Sequence, residues 1–180
     1  MSGLIRRVLR IFAYVRDLEQ RAFYDTLTGL LQRGRFFELF KDRLAKTDAI
    51  ALVYIDLNGF KSINDRYGHA VGDKVLKIFA CHANAFFGEK KGIVGRMGGD
   101  EFAVVLSDNR EQGLSDMCAR FVEFLAARPI AHKNRHIFID FSCGIATTTR
   151  DGRDPDALFA AADERMFKQK RRIRHDVRRR

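Results

Sequence analysis

The chain has no apolar run long enough to cross a membrane or to form the core of a secretory leader. The longest near its start, IFAYV at 11–15, lies between Arg10 and Arg16, so no transmembrane segment is expected. Cysteine is scarce: Cys81, Cys118 and Cys143 are odd in number, far apart and form no CxxC. That speaks against a disulfide framework or a zinc site, and for a reducing, cytoplasmic setting with buried or idle thiols. The five histidines show no ligand-like spacing. No Walker A motif is present and no GxGxxG opens a helix after a strand, which disfavours those nucleotide folds. Internal repeats and low-complexity linkers are missing too. Acidic residues are scarce at the ends: residues 1–16 hold four arginines and no acid, and residues 171–180 hold six arginines and one aspartate. Of the net charge of +10, the intervening 154 residues carry only about +1. The basicity belongs to the ends, as solvated segments or as contacts for nucleotide phosphate or an anionic polymer.

What is present is core material. Hydrophobic residues make up 46% of the 180 residues, 16 of them phenylalanine, which suits one domain plus an appendage. Leu4, Val8, Ile11, Val15, Leu18 and Ala22 recur at alternating spacings of four and three, a heptad seam on one helix. Three readings fit that helix: docking on its own domain, a parallel coiled coil, or a membrane surface. DTLTGLLQR (25–33) reads as a turn starting a helix to about Ala45, and IALVYID (50–56) as a central strand. GFKSINDRYGHAVGD (59–73) reads as a polar, glycine-punctuated connection, followed by a helix over 74–87. Strands are expected at about 93–97 and 101–107, a helix over 111–127, a strand over 137–147 and a last helix over 155–172. Hairpin strands mixed with crossover helices predict an α+β, ferredoxin-like layer.

The stretch GRMGGDEFAVVL (95–106) puts two adjacent carboxylates at a hairpin tip. Asp100 and Glu101 are then either solvated turn residues or arms of a cation site. If the hairpin neighbours the first strand, Asp56 converges on them, in an arrangement suited to Mg²⁺ shared with substrate phosphates.

Five ordered motifs, DTLTGLLQR, DLNGFKSINDRYGHAVGD (56–73), RMGGDEF (96–102), SCGIA (142–146) and ADERMFKQKRRIR (162–174), resemble the GGDEF-family diguanylate cyclases over about 22–175. The resemblance implies a central, mainly antiparallel five-stranded sheet flanked by helices and related to polymerase palms. It implies three segments: an N-terminal signalling helix at 1–22, the cyclase domain at 23–175 and a basic tail at 176–180. The implied reaction joins two GTP into cyclic di-GMP with release of two pyrophosphates, on a homodimer whose domains face each other antiparallel. Asp56, Asp100 and the carbonyl of Leu57 are then ligands for two Mg²⁺ per site, with Mn²⁺ as a substitute. Asp100 doubles as proton acceptor, Glu101 ranks behind it, and Lys61 offsets charge in the transition state. Asn64 and Asp73 match the guanine readers. Phe60, His69 and Gly99 match other substrate positions, and Lys170 and Arg174 match the grip on the terminal phosphates.

This sequence departs from the family at Asn58, for a second aspartate, and at Gln32, for an asparagine. Ile173 and His175 replace the glycine and asparagine that flank the terminal arginine. The RxxD inhibitory motif of product-inhibited relatives is replaced by Glu89, Lys90, Lys91 and Gly92. The rival reading is a non-catalytic GTP or cyclic di-GMP module that signals through a protein partner. An upstream sensor or partner could act through the N-terminal helix, and no nucleic-acid ligand is expected.

Overall fold

The computed structural model describes residues 2–108 and 110–178, with side chains between Ile5 and Ile173 apart from a few helix positions. A long helix α1 (Ser2–Phe23) leads to a turn and a short strand β1 (Leu31–Gln32). Helix α2 (Arg33–Lys46), strand β2 (Ala51–Leu57), helices α3 (Phe60–Tyr67) and α4 (His69–Gly88), and the hairpin β3 (Ile93–Gly98) and β4 (Glu101–Leu106) follow. Helix α5 (Glu111–Ala126), a small hairpin β5 (Ile130–His132) and β6 (Arg135–Ile137), strand β7 (Phe141–Thr147), the short helix α6 (Thr148–Asp151) and α7 (Pro155–Arg178) complete the order.

The main sheet has five strands in the order β1-β3-β4-β2-β7. Every pairing is antiparallel except β1 with β3. The expected mainly antiparallel five-stranded sheet is therefore present. Strand β2 lies between β4 and β7 with both faces covered, so all seven of its residues are buried and it reads as an unbroken apolar run. Ala51, Val53 and Ile55 face a cluster that includes Phe79 of α4 and Phe121 of α5. Leu52 and Tyr54 face the other way, toward Phe36 and Phe40 of α2 and Leu158, Ala162 and Met166 of α7. Phe79 meets Phe102 at 4.6 Å and Phe121 at 5.7 Å between ring centres. Burying one such side chain contributes roughly 1.5–3 kcal/mol, against about 0–1 for an exposed ion pair, so apolar layering decides the fold.

The structure corrects four sequence expectations. Residues 60–67 are helical, because Ile63 and Phe60 pack on the core while the polar residues between them face out. The helix expected from the DTLTG turn starts only at Arg33, since Leu31 and Gln32 first pair with Gly95 and Arg96. The strand expected over 137–147 is divided: Ile137 ends the small hairpin and Phe141 begins β7. The last helix continues past 172 to Arg178.

The seam residues of helix α1 whose side chains are described do not dock on its own domain. Of the seam residues with described side chains, Val8, Ile11 and Leu18 are 42%, 62% and 47% exposed, and Ala22 is exposed as well. The side chains of Leu4 and Val15 lie outside the described residues. The helix is held at its C-terminal end, where the Gln32 amide donates to the carbonyls of Arg21 and Tyr24 at 2.9 and 2.8 Å. Gln32 thus satisfies helix-end acceptors, which gives that departure a local purpose. Among the described residues no helix is long and apolar enough to cross a membrane.

Candidate active site

Strand alternation brings the acids together. Asp56 follows Leu52 and Tyr54 onto the α7 face of β2, at the end of the strand, and is only 7% exposed. Its partner across the β2–β4 pairing is Glu101. Asp100 sits in the turn just before, where its carbonyl accepts the Leu57 N–H at 3.2 Å. On α7, Leu158, Ala162 and Met166 recur every fourth residue as the buried stripe. Lys170 is the next position on that stripe, beside Asp56, and its ammonium ion-pairs with the Asp56 carboxylate. Arg174 is one turn further on, and its side chain lies outside the described residues.

The three acids are held in different ways. Burial first, and then the charge of Asp56, push the Asp100 carboxyl above its ordinary range. Burial also raises Glu101; a hydrogen bond from the Tyr54 hydroxyl opposes this, and the charges of Asp56, Asp100 and Asp163 add to it. Tyr54 is itself raised by burial and by Glu101. Glu101 is therefore turned toward Tyr54.

The turn is built for close approach. Gly98 and Gly99 have φ of 152° and 50°, and a Cβ on either would meet nothing within 4 Å. The register shifts between Arg96 and Gly98, a bulge that re-aims the strand beside the acids. Arg96 braces this turn: its Nε and a terminal nitrogen donate to the Gly99 carbonyl at 3.1 and 2.7 Å. Its other terminal nitrogen reaches Asp25 Oδ1 at 2.9 Å. Asp25 also accepts from the Thr28 N–H and hydroxyl at 2.8 and 2.6 Å. The DTLTG turn after α1 is thereby joined to the GGDEF turn.

Helices α3 and α4 carry the remaining candidates. Asn64 of α3 lies against Gly72 of α4, and its Oδ1 is buried without a hydrogen-bond partner. An unpaired buried acceptor costs about 1–3 kcal/mol, so this one is retained at a loss. Phe60 is half-buried on the core. Lys61, His69 and Asp73 are exposed, and among the described residues no hydrogen bond or ion pair ties them to the acids. Asn58 joins strand ends: its amide donates to Asp140 at 2.9 Å and accepts the Ser142 hydroxyl at 2.8 Å. That is a structural use for the second departure.

Sequence reasoning missed Tyr54, whose role rests on register, and the depth of the Asp25–Arg96 link. The Asp-x-x-Thr spacing at 25–28 was the available signal for Asp25, since it marks an Asx turn.

The donor set fits a hard divalent cation that arrives with phosphates. Among the described residues no group of three or more His, Cys, Asp or Glu is arranged to hold a metal, so an all-protein cage is missing. Two mutually repelling carboxylates, Asp56 on β2 and Asp100 in the β3–β4 turn, suit a hard divalent cation, of a kind that takes one or two protein carboxylates plus substrate oxygens.

Buried Asp56 of the central strand and half-buried Asp100 of the glycine turn thus lie together, with Lys170 of the last helix paired to Asp56. Residues 22–176 match the family described as diguanylate cyclase, GGDEF domain, and the chain belongs to that family. It is 33% identical over 172 residues to the probable diguanylate cyclase DgcF of Escherichia coli K12, covering 91% of this chain and 53% of that protein. Against the DgcF of Escherichia coli O157:H7 the share of the relative is 36%, so the chain spans about half or less of these relatives. A sensory box/GGDEF family protein from Caulobacter crescentus superposes with a TM-score of 0.75 at 29% identity, over 82% of this chain and 97% of that one. The coiled coil and GGDEF domain of Caulobacter crescentus DgcB share the fold, with a TM-score of 0.82 at 21% identity over 94% and 92% of the chains.

Proposed function

We propose that this chain condenses two GTP into cyclic di-GMP, as an antiparallel homodimer in which each domain holds one nucleotide. Each 3′-hydroxyl attacks the α-phosphorus of the facing nucleotide, and each pyrophosphate leaves from the opposite side. The observation that carries this reading is the Asp56–Asp100 pair at the glycine turn, with Lys170 from α7 on the same acids.

Asp56, Asp100 and the Leu57 carbonyl would hold the divalent cations, Mg²⁺ or Mn²⁺. Bound there, they would supply charge neutralisation on the triphosphate. The chain's own groups do the positioning. The open backbone at Gly98 and Gly99 admits the phosphates, and Lys170 and Arg174 grip their far end. Lys61 offsets charge at the reacting phosphorus. Asp100 receives the hydroxyl proton; burial and Asp56 favour that uptake in the cation-free site, and a cation would act the other way.

Asn64 Oδ1 supplies a buried acceptor for a guanine N–H, and the Asp73 carboxylate supplies a second. Adenine, lacking the paired donors, would leave both unmet, which favours GTP. With Glu89, Lys90, Lys91 and Gly92 in place of RxxD, product inhibition through that motif is not expected. The chain would act in the cytoplasm, with its input from an upstream sensor or partner engaging α1.

Incubation with GTP and Mg²⁺ beside an Asp100→Ala variant, with nucleotides resolved by chromatography, tests the reading. Cyclic di-GMP from the parent, reduced at least about 100-fold in the variant, is expected. GTP binding without product at high protein concentration would favour the binding-module reading.

A further inference from the structure

The β5–β6 hairpin stands outside the main sheet, and a cavity of about 590 Å³ lies between it and the end of α3. Arg66 and Tyr67 of α3 line it, with His132, Lys133, Asn134 and Arg135 of the hairpin. Three of these six carry a positive charge at neutral pH and none is an acid. None of the candidate site residues on the acids' side, on α4 or on α7 lines it. Its volume is that of a small-molecule pocket.

The walls are tied together. The Tyr67 and His132 rings meet nearly edge to face, 5.7 Å apart at 70°, and Tyr67 is half-buried against the core. The Lys74 ammonium donates to the Ala131 carbonyl at 3.4 Å, which joins α4 to β5. The Arg66 guanidinium lies over the Tyr67 ring at 5.4 Å. The three cations are not spent on the protein's own acids. Among the described residues, none of Arg66, Lys133 and Arg135 forms an ion pair with a carboxylate. Arg96, Arg153 and Arg165, by contrast, each pair with an aspartate. Lys133 is also held against its conformational preference. His132 is paired with Arg135, so Lys133 and Asn134 alone make the turn. Lys133 takes a φ of 51°, the left-handed backbone that such turns usually give to glycine or asparagine. Glycine would sit there with less strain; what lysine adds is charge on the cavity wall.

We propose that this cavity binds linked phosphates, as free pyrophosphate or as the phosphate tail of a nucleotide. A guanidinium presents parallel donors to phosphate oxygens, and an ammonium supplies a point charge. Cations divided between α3 and the hairpin match negative charge spread over more than one phosphate. No carboxylate is present to share a divalent ion, so binding here needs no Mg²⁺. The site is separate from the acids, whatever reaction those carry out.

The test is a titration of the full chain with sodium pyrophosphate, without divalent ions, followed by backbone amide NMR. Saturable shifts are expected at residues 66–67 and 132–135. The variant carrying Arg66→Gln, Lys133→Gly and Arg135→Gln should raise the dissociation constant at least about tenfold. Lys133→Gly alone should weaken binding while melting no lower than the parent, which shows that the loss is not one of folding. Shifts confined to the surroundings of Gly99 and Lys170 overturn the proposal, as does undiminished affinity in the triple variant. Equal shifts with sulfate at matched ionic strength overturn it too, because they reveal charge screening only. With ATP as the second probe, tighter binding than pyrophosphate at the same amides identifies a nucleotide tail as the ligand. Weaker binding identifies free pyrophosphate.

Discussion

Asn64 shows how a single atom separates stability from function. Its Oδ1 is buried without a hydrogen-bond partner, a cost to the folded chain that the guanine N–H of the proposed substrate would relieve. Asn64→Ala is therefore expected to leave the melting temperature unchanged or higher, while the KM for GTP rises about tenfold or more. Thermal unfolding and initial rates on one preparation check both halves. Asp151 behaves in the opposite sense. Hydrogen bonds from Arg165 at 2.8 and 2.5 Å and from the Thr147 N–H at 3.0 Å hold its carboxyl below the ordinary 3.8, outweighing burial. Because its folded value is depressed, its contribution is present above 3.8 and is lost as pH falls through that value toward the folded one. Asp151→Asn should cost about 1–3 kcal/mol at neutral pH, and the deficit should shrink in denaturant titrations taken below pH 3.8. At this scale the acids were legible in sequence, because carboxylates after a glycine pair at a strand boundary have few uses. Tyr54 was not, since a tyrosine inside an apolar strand shows its hydroxyl partner only once β2 and β4 are in register.

Among the elements, α7 carries most of the site's precision. It runs so close to β7 that a Cβ on Gly144 would overlap the Ala162 carbonyl and the Met166 backbone nitrogen. Backbone cannot give way as a side chain can. Gly144→Ala should then destabilise by about 1–3 kcal/mol or more and displace Lys170 from Asp56. Denaturant unfolding checks the first effect and a rise in KM for GTP the second. The strands and long helices were readable from periodicity, and the motif order gave the sheet. Helix α3 was not, because its residues are mostly polar and glycines flank it, the usual marks of a loop; its three core contacts, Phe60, Ile63 and Tyr67, are only partly buried and span barely two turns. The division of 137–147 was hidden for a related reason. Phe138 is apolar yet 61% exposed, so hydrophobicity ran unbroken through a break in the strand.

For the whole molecule, the seam of α1 is the feature left uncovered at its described positions. Val8, Ile11 and Leu18 recur with heptad spacing on a helix anchored at one end, which suits pairing with a second copy. Changing all three to serine should lower the dimer fraction in sedimentation and reduce turnover per chain at low protein concentration, with recovery as concentration rises. Unchanged association and unchanged turnover would sink the stalk idea. The Lys170–Asp56 pair has a consequence for the order of events. In the nucleotide-free molecule the carboxylate is already neutralised by an ammonium, so a lone divalent ion would have to evict a tethered competitor. A triphosphate that arrives with its ion gives the lysine somewhere better to go. Under the proposed function, the resting site would thus guard itself against idle metal, and its visitor would be the ion–nucleotide complex as one unit.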